Sequence, residues 1–231
     1  MNIGIIVAAG KGSRTNLTFP KQFYQILGKS LLRIALEKYE YSELIDKIIV
    51  VANKDFLEET KKECYEINKI YSIINGGESR QESVFNALKF IYNEFEYDAK
   101  IVSIHDAARP FVSTEKINES IRIAEKCGSA VLGLPEKNSV SYVLDNNVEK
   151  ILDRNEIYIH QTPQTFDFKK LYKAYTNFEN ELKAFTDDAS IFHKAGNTVR
   201  IIPGEEYNIK ITTEFDIKFA KWLLKEGIIN G

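Results

Sequence analysis

Short, mostly apolar stretches alternate along the chain with longer ones in which apolar residues recur every three or four positions. Ile3–Val7 is the first of the short runs. Asp46–Ala52 (DKIIVVA) reads as a second buried strand, and Ile70–Ile74, Ile101–Ile104 and Ala130–Leu134 read as further strands. A nearly unbroken apolar run such as Ile3–Val7, rich in β-branched residues, predicts a strand covered on both faces. Between these runs, Ser30–Tyr41 carries Leu31, Leu32, Ile34, Ala35 and Leu36 with charges interspersed, which predicts a helix that Ser30 can cap. Phe56–Asn68 reads as a charged amphipathic helix. Ser79–Phe95 reads as a helix with Ser79 and Glu82 in capping-box spacing, and Thr114–Cys127 as one capped by Thr114 and ended by Gly128.

The rhythm changes after Leu134. Ser139–Leu144, Asp145-Asn146-Asn147 and Val148–Leu152 read as two strands joined by a turn. Such a hairpin is too small to be stable alone and must lie on something, either its own sheet or a second copy of the chain. Helices are predicted at Lys169–Tyr175 and Asp187–Ala195, strands at Thr198–Ile202 and Asn208–Thr212, and a last helix at Glu214–Lys225. Strand–helix alternation over most of the chain predicts an α/β, doubly wound and mostly parallel sheet. Ligands then bind at the carboxyl ends of the strands. No repeat or long linker divides the 231 residues, so one domain (1–231) is expected, with 136–158 as a β-arm.

Composition narrows the class. Hydrophobic residues make up 44% and charged ones 28%, as in soluble globular proteins. A net charge of -2 gives no global reason to expect nucleic acid or an anionic membrane surface. Cys64 and Cys127 are too few for a disulfide framework or a zinc site. No apolar run is long enough to span a membrane, and the N-terminus does not read as a leader. A cytoplasmic protein is the expectation.

The chemistry starts where the first strand ends. Gly10, Lys11, Gly12, Ser13 and Arg14 follow it, and Lys21 comes seven residues after Arg14. Glycines admit a ligand close to the backbone, loop amides can face an anion, and two cations add fixed positive charge. A phosphate loop and a plain Gly-rich turn both fit this pattern. It is neither the P-loop spacing nor the dinucleotide fingerprint, so a dehydrogenase is set aside. Gly76-Gly77 ahead of a capped helix could seat a base against backbone, or could simply start the helix. In Ile104–Pro110 (IHDAARP), Asp106 and Arg109 lie just past a strand, where a doubly wound sheet has its cleft. His105 beside them reads as structural, because a phosphate nucleophile needs no general base. Thr186 reads first as a helix cap. Lys210 sits among apolar residues and calls for an anionic partner.

The motif A-A-G-x-G-x-R followed by P-K-Q-F resembles the nucleotidyltransferases that make nucleotide-activated metabolites. Among these it is similar to the cytidylyltransferases of small polyol phosphates. G-G-x-x-R-x-x-S, H-D-A-A-R-P, Q-T-P-Q, T-D-D-A-S and N-I-K-I-T follow in the same family's order, from Ala8 to Thr212. The resemblance implies a fold, a reaction and roles for individual residues. The first loop, with Ala8, Ala9, Gly10 and Gly12, would wrap the triphosphate of CTP, while Arg14 and Lys21 would hold the phosphates through the transition state. Gly77 and Ser83 would read cytosine, and Arg80 would brace their loop. Asp106 and Arg109 would lie at the nucleotide and polyol side, with Asp106 near a Mg²⁺ carried by the triphosphate. The hairpin would be an arm over a homodimer partner, placing Arg154 and Ser139 on the acceptor. Thr162, Thr186 and Lys210 would hold the acceptor phosphate, and Lys210 would also reach the α-phosphate.

The implied activity is transfer of CMP from CTP to a polyol phosphate with loss of pyrophosphate. The favoured acceptor is 2-C-methyl-D-erythritol 4-phosphate. Ribitol 5-phosphate stays open, because Asn138-Ser139 stands where the first type usually has Asp-Thr and because R-N-E-I-Y and Y-N-I-K-I-T-T lean to the second type. A non-catalytic nucleotide-binding module is the alternative of another class, and it would leave Arg14, Lys21 and Lys210 without a purpose.

Overall fold

The computed structural model describes residues 1–10, 20–95 and 98–229. The chain runs β1 (Asn2–Ala8), β2 (Gln25–Ile26), β3 (Lys29–Ser30), α1 (Leu31–Glu40), β4 (Lys47–Ala52), α2 (Leu57–Cys64), β5 (Ile70–Asn75) and α3 (Arg80–Phe95). It continues through β6 (Ile101–Asp106), α4 (Thr114–Cys127), β7 (Ser129–Pro135), β8 (Val140–Leu144), β9 (Asn147–Leu152) and β10 (Tyr158–Asp167). The last elements are α5 (Phe168–Asn177), α6 (Asp188–Lys194), β11 (Ile201–Pro203) and α7 (Glu214–Lys225).

A seven-stranded sheet in the order β11-β7-β10-β6-β1-β4-β5 forms the centre. β1 pairs parallel with both β4 and β6, and β11 pairs parallel with β7. β10 is antiparallel to both its neighbours. The chain winds outward from β1 through β4 to β5, then returns to lay β6 on the other side of β1. That reversal puts a crevice at the carboxyl ends of β1 and β6. Side chains alternate across β1, as the two-residue period of a strand requires. Ile3 and Ile5 pack under α3, α5 and α6, and Ile6 and Ala8 pack under α1 and α4. A third apolar cluster joins α7 to Ile26, Leu31, Phe111 and Ile211.

Most expected elements form, with instructive differences at their ends. Ser30 caps α1 by accepting from the Arg33 N–H. Ser113, not Thr114, caps α4, accepting from the Lys116 N–H at 3.1 Å. Gly128 closes α4 in the left-handed region at φ 84. α2 is shorter than expected, ending at Cys64, and Glu66 just beyond it has φ 62. The hairpin turn is tighter than three residues. Asp145 and Asn146 both have positive φ (47 and 64). They form the two-residue turn whose twist suits a hairpin, and Asn147 already pairs with Leu144.

Two differences change the architecture. β10 was not expected at all, because Pro163 and five polar residues separate Ile159 from Phe166 within Tyr158–Asp167. Pro163 falls where β10 shifts register against β7, between His160 and Gln164, and its peptide bond is cis. The second is Asn208–Thr212, which joins no sheet. It crosses the carboxyl edge of the sheet, held by the Ile211 N–H donating to the Ala108 carbonyl at 2.8 Å.

Candidate active site

At the crevice lies a cleft of about 910 Å³. The end of β1 gives it one wall, Gly76–Ser83 a second, and the end of β6 with Lys210 its floor. Gln22, which is buried, latches the first wall. Its amide donates to the Ala8 carbonyl at 2.7 Å and to the Gly10 carbonyl at 3.1 Å. Ala8, Ala9, Gly10 and Lys21 line the cleft. Gly12 and Arg14 lie outside the described residues.

The second wall explains its glycines. A Cβ on Gly76 would stand 2.4 Å from the Ala9 Cβ, and one on Gly77 would stand 2.5 Å from the Glu82 Cβ. Neither site has room for a side chain. The Gly77 N–H donates to Ser83 Oγ at 3.0 Å, and the Ser83 hydroxyl donates to the Ser79 carbonyl at 2.8 Å. Ser79 accepts the Glu82 N–H as expected, but the Glu82 carboxylate takes the N–H of Glu78. Ser83 is thus a strut of the loop, as well as part of the cleft lining.

The floor is ionic. Asp106 Oδ1 accepts from Arg80 Nε at 2.8 Å, and Oδ2 accepts from Lys210 Nζ at 2.6 Å. Burial opposes its charge, yet Arg80 and Lys210 outweigh burial and hold the carboxyl well below the usual carboxylate range. Arg80 gains in the same way. Burial works against its charge, and Asp106 and Asp188 keep it firmly protonated. The anionic partner that Lys210 required is therefore Asp106. Thr186 is exposed at the rim of the cleft and caps nothing. The cap of α6 is Asp187, reciprocated by Ser190. Asp187 also accepts from His160 Nδ1 and Gln164 Nε2, both at 2.9 Å.

Behind the floor, one polar chain is closed on itself. The Asp106 N–H donates to Thr162 Oγ1 at 3.1 Å. A carbonyl can only accept, so His105 donates from Nε2 to the Arg109 carbonyl at 2.8 Å. His105 Nδ1 then accepts the Thr162 hydroxyl at 3.0 Å. Burial lowers the pKa of His105 to about 4, and the ring is neutral and structural. Thr162, expected on the acceptor phosphate, is 4% exposed and braces β6 through these two bonds. Arg109 is drawn away from the cleft. Its Nη1 donates to the Asn208 carbonyl at 2.9 Å and its Nη2 to the His160 carbonyl at 3.4 Å.

Ser139 and Arg154 do not join this site. Both are exposed at the base of the β8–β9 hairpin, and Arg154 Nη1 donates to the Lys137 carbonyl. Sequence reasoning missed Gln22, although P-K-Q contained it, and missed the ion pair of Arg80 with Asp188. Asp188 stood in T-D-D-A-S without a role assigned to it. Among the described residues no helix is long and apolar enough to cross a membrane.

Comparison with known proteins agrees with this geometry. Residues 3–226 match the family model described as 2-C-methyl-D-erythritol 4-phosphate cytidylyltransferase. The chain is 44% identical to a protein of that name from Petrotoga mobilis, over 97% of this chain and 99% of the relative. It is 40% identical to the Clostridium acetobutylicum protein of the same name, over 99% of this chain and all of the relative. Among solved structures, it is similar to 4-diphosphocytidyl-2C-methyl-D-erythritol synthase from Anaerococcus prevotii. The TM-score there is 0.86 at 29% identity, covering 97% of this chain and 96% of that one. The Francisella tularensis 2-C-methyl-D-erythritol 4-phosphate cytidylyltransferase gives 0.80 at 34% identity, covering 96% of this chain and 98% of that one.

Proposed function

The chain belongs to the 2-C-methyl-D-erythritol 4-phosphate cytidylyltransferase family, and from that membership we infer how its cleft performs the transfer. The enzyme is a cytidylyltransferase of isoprenoid precursor synthesis, and the family's acceptor takes the place of ribitol 5-phosphate. CTP lies across the end of β1, its base against Gly77 and Ser83 and its triphosphate against Gly10, Gly12, Arg14 and Lys21. A phosphate oxygen of the acceptor attacks the α-phosphorus. The bond from that phosphorus to the bridging oxygen breaks, and pyrophosphate leaves with the electron pair. Lys21 and Lys210, already at the cleft, stabilise the charge that grows on the leaving group and on the α-phosphate oxygens. The single observation that carries this reading is Lys210, a cation drawn to the floor of the cleft by Asp106.

A Mg²⁺ carried on the triphosphate suits this donor set. Among the described residues no group of three or more His, Cys, Asp or Glu could cage a metal. Mg²⁺ commonly takes one or two carboxylates, with water and phosphate as its other ligands. Asp106 retains a lone pair on each oxygen and would be its protein contact, and the ion would neutralise phosphate charge.

The acceptor's phosphate meets Thr186 at the rim, with Ser139 and Arg154 arriving on the arm of a second copy. The arm's composition supports a homodimer. Tyr142, Val143, Leu144, Val148 and Ile151 are at least half exposed, and a free hairpin gains nothing from such a surface. The test of function is pyrophosphate release from CTP and Mg²⁺ with each of the two polyol phosphates. Release is expected with 2-C-methyl-D-erythritol 4-phosphate, and release with ribitol 5-phosphate alone would overturn the assignment. Lys21→Ala should lower turnover about 10²- to 10³-fold without changing the melting temperature.

A further inference from the structure

Two buried side chains that line no part of the cleft extend its ionic floor inward. The Tyr175 hydroxyl, on α5, donates to Asp188 Oδ1 at the start of α6. Asp188 Oδ2 accepts from Arg80 Nη2 at 2.8 Å. Arg80 Nε donates to Asp106 Oδ1 at 2.8 Å, and Lys210 Nζ to Asp106 Oδ2 at 2.6 Å. Tyr175 and Asp188 are both 0% exposed. The order is hydroxyl, acid, base, acid, base, and it ends on the residue assigned to the α-phosphate.

What matters is how Arg80 divides its donors. Nε and Nη2 form one edge of the guanidinium, and that edge fits both oxygens of a single carboxylate. Here the edge is split between two acids. Among the described residues the buried Arg80 Nη1 has no hydrogen-bond partner, and the two carboxylates orient the group. If Asp188 were lost, the same edge could close on both oxygens of Asp106. Lys210 would then have to share Oδ2 with Arg80 Nη2, and the two like charges would push its ammonium out of its present place.

We propose that Asp188, oriented by Tyr175, is a positioning residue for the transfer: it holds Arg80 to one oxygen of Asp106 and so reserves the other for Lys210. This rests on the reading of Lys210 as a contact to the α-phosphate. Asp188 touches no substrate, so its effect must pass through Lys210.

Steady-state kinetics of the full chain decide it, using Asp188→Asn, Tyr175→Phe, Lys210→Ala and each of the first two combined with Lys210→Ala. Asp188→Asn should lower kcat about 10- to 100-fold and move the KM for CTP less than about threefold. Tyr175→Phe should lower kcat about three- to tenfold, because it removes the orienting hydroxyl and leaves the acid. In the Lys210→Ala background, either change should cost less than about twofold more. Losses that multiply in the double variants would show a general packing defect and overturn the proposal, as would a folded Asp188→Asn with normal kcat. If Asp188→Asn does not fold, Tyr175→Phe and its double variant carry the same decision. Lys210→Ala within about threefold of wild type would instead bring down the underlying reading of Lys210.

Discussion

The floor of the cleft and the hairpin arm solve opposite problems. At the floor, charged groups are removed from water and nearly every one is answered from within the chain. Arg80 meets two acids and Asp106 meets two bases. On the arm, apolar groups are left in water and nothing among the described residues covers them, with Ile151 68% exposed. A buried charge without a partner is costly, so the floor must be complete before substrate arrives. Exposed apolar surface is tolerable until a partner covers it. The difference teaches that the described residues hold the floor of the cleft in place by themselves, whereas the arm carries the kind of surface that only a covering partner would reward.

The strongest way to break that contrast is at the floor. Asp106→Ala leaves Arg80 with one acid and Lys210 with none. Removing one member of a buried ion network costs about 3–5 kcal/mol, and the half-exposed Lys210 favours the lower end. Denaturant unfolding should show that loss together with a fall in turnover. An unchanged midpoint would mean that the floor is not a structural unit.

The pH dependence of stability is expected to be nearly as large, and it separates the two kinds of polar group behind the cleft. His105 has a folded pKa of about 4 against 6.5 unfolded. The unfolded chain therefore binds the proton first as pH falls. The stability from a neutral His105 is whole above its unfolded value and is lost as pH drops from there towards the folded one. Two and a half units at about 1.4 kcal/mol each give a loss of about 3 kcal/mol. Asp106 and Asp187 are held below the carboxylate range, so their contribution persists until pH falls through about 4. Unfolding midpoints at about pH 7 and about pH 4.5 should thus differ in the wild type and converge in His105→Asn. A wild-type protein with equal midpoints at both would contradict the buried neutral ring.

On the arm the effects should be smallest for the single chain and visible only in assembly and acceptor binding. Ile151→Asp should change intrinsic stability by less than about 0.5 kcal/mol. It should nevertheless shift the sedimenting species from dimer to monomer. Arg154→Ala should raise the KM for the polyol phosphate about tenfold and leave the KM for CTP alone. A monomeric wild type, or an Arg154→Ala defect confined to CTP, would erase the contrast between the regions.

Local pattern determined much of this protein. The apolar runs specified the strands, their alternation with amphipathic stretches specified a doubly wound sheet, and the sheet's winding placed the cleft after β1 and β6. Lys21 beside a Gly-rich loop, Asp106 past a strand and the need of Lys210 for an anion were legible as chemistry on offer, and the cleft brings the three together. Local pattern was silent where the reason for a residue lies far away in the chain. Tyr158–Asp167 reads as a broken loop until β6 and β7 supply its partners across the register shift at Pro163. Thr162 shows no structural duty in the sequence, and only the fold lets it donate to His105 and accept from the Asp106 N–H. Asp188 meets Arg80 from 108 positions away. Periodicity and propensity act over one or two turns of chain, and so sequence could set the elements and the chemistry on offer. Burial and hydrogen bonding act across space, and only the tertiary structure could decide which groups are held in place and which remain for the ligand.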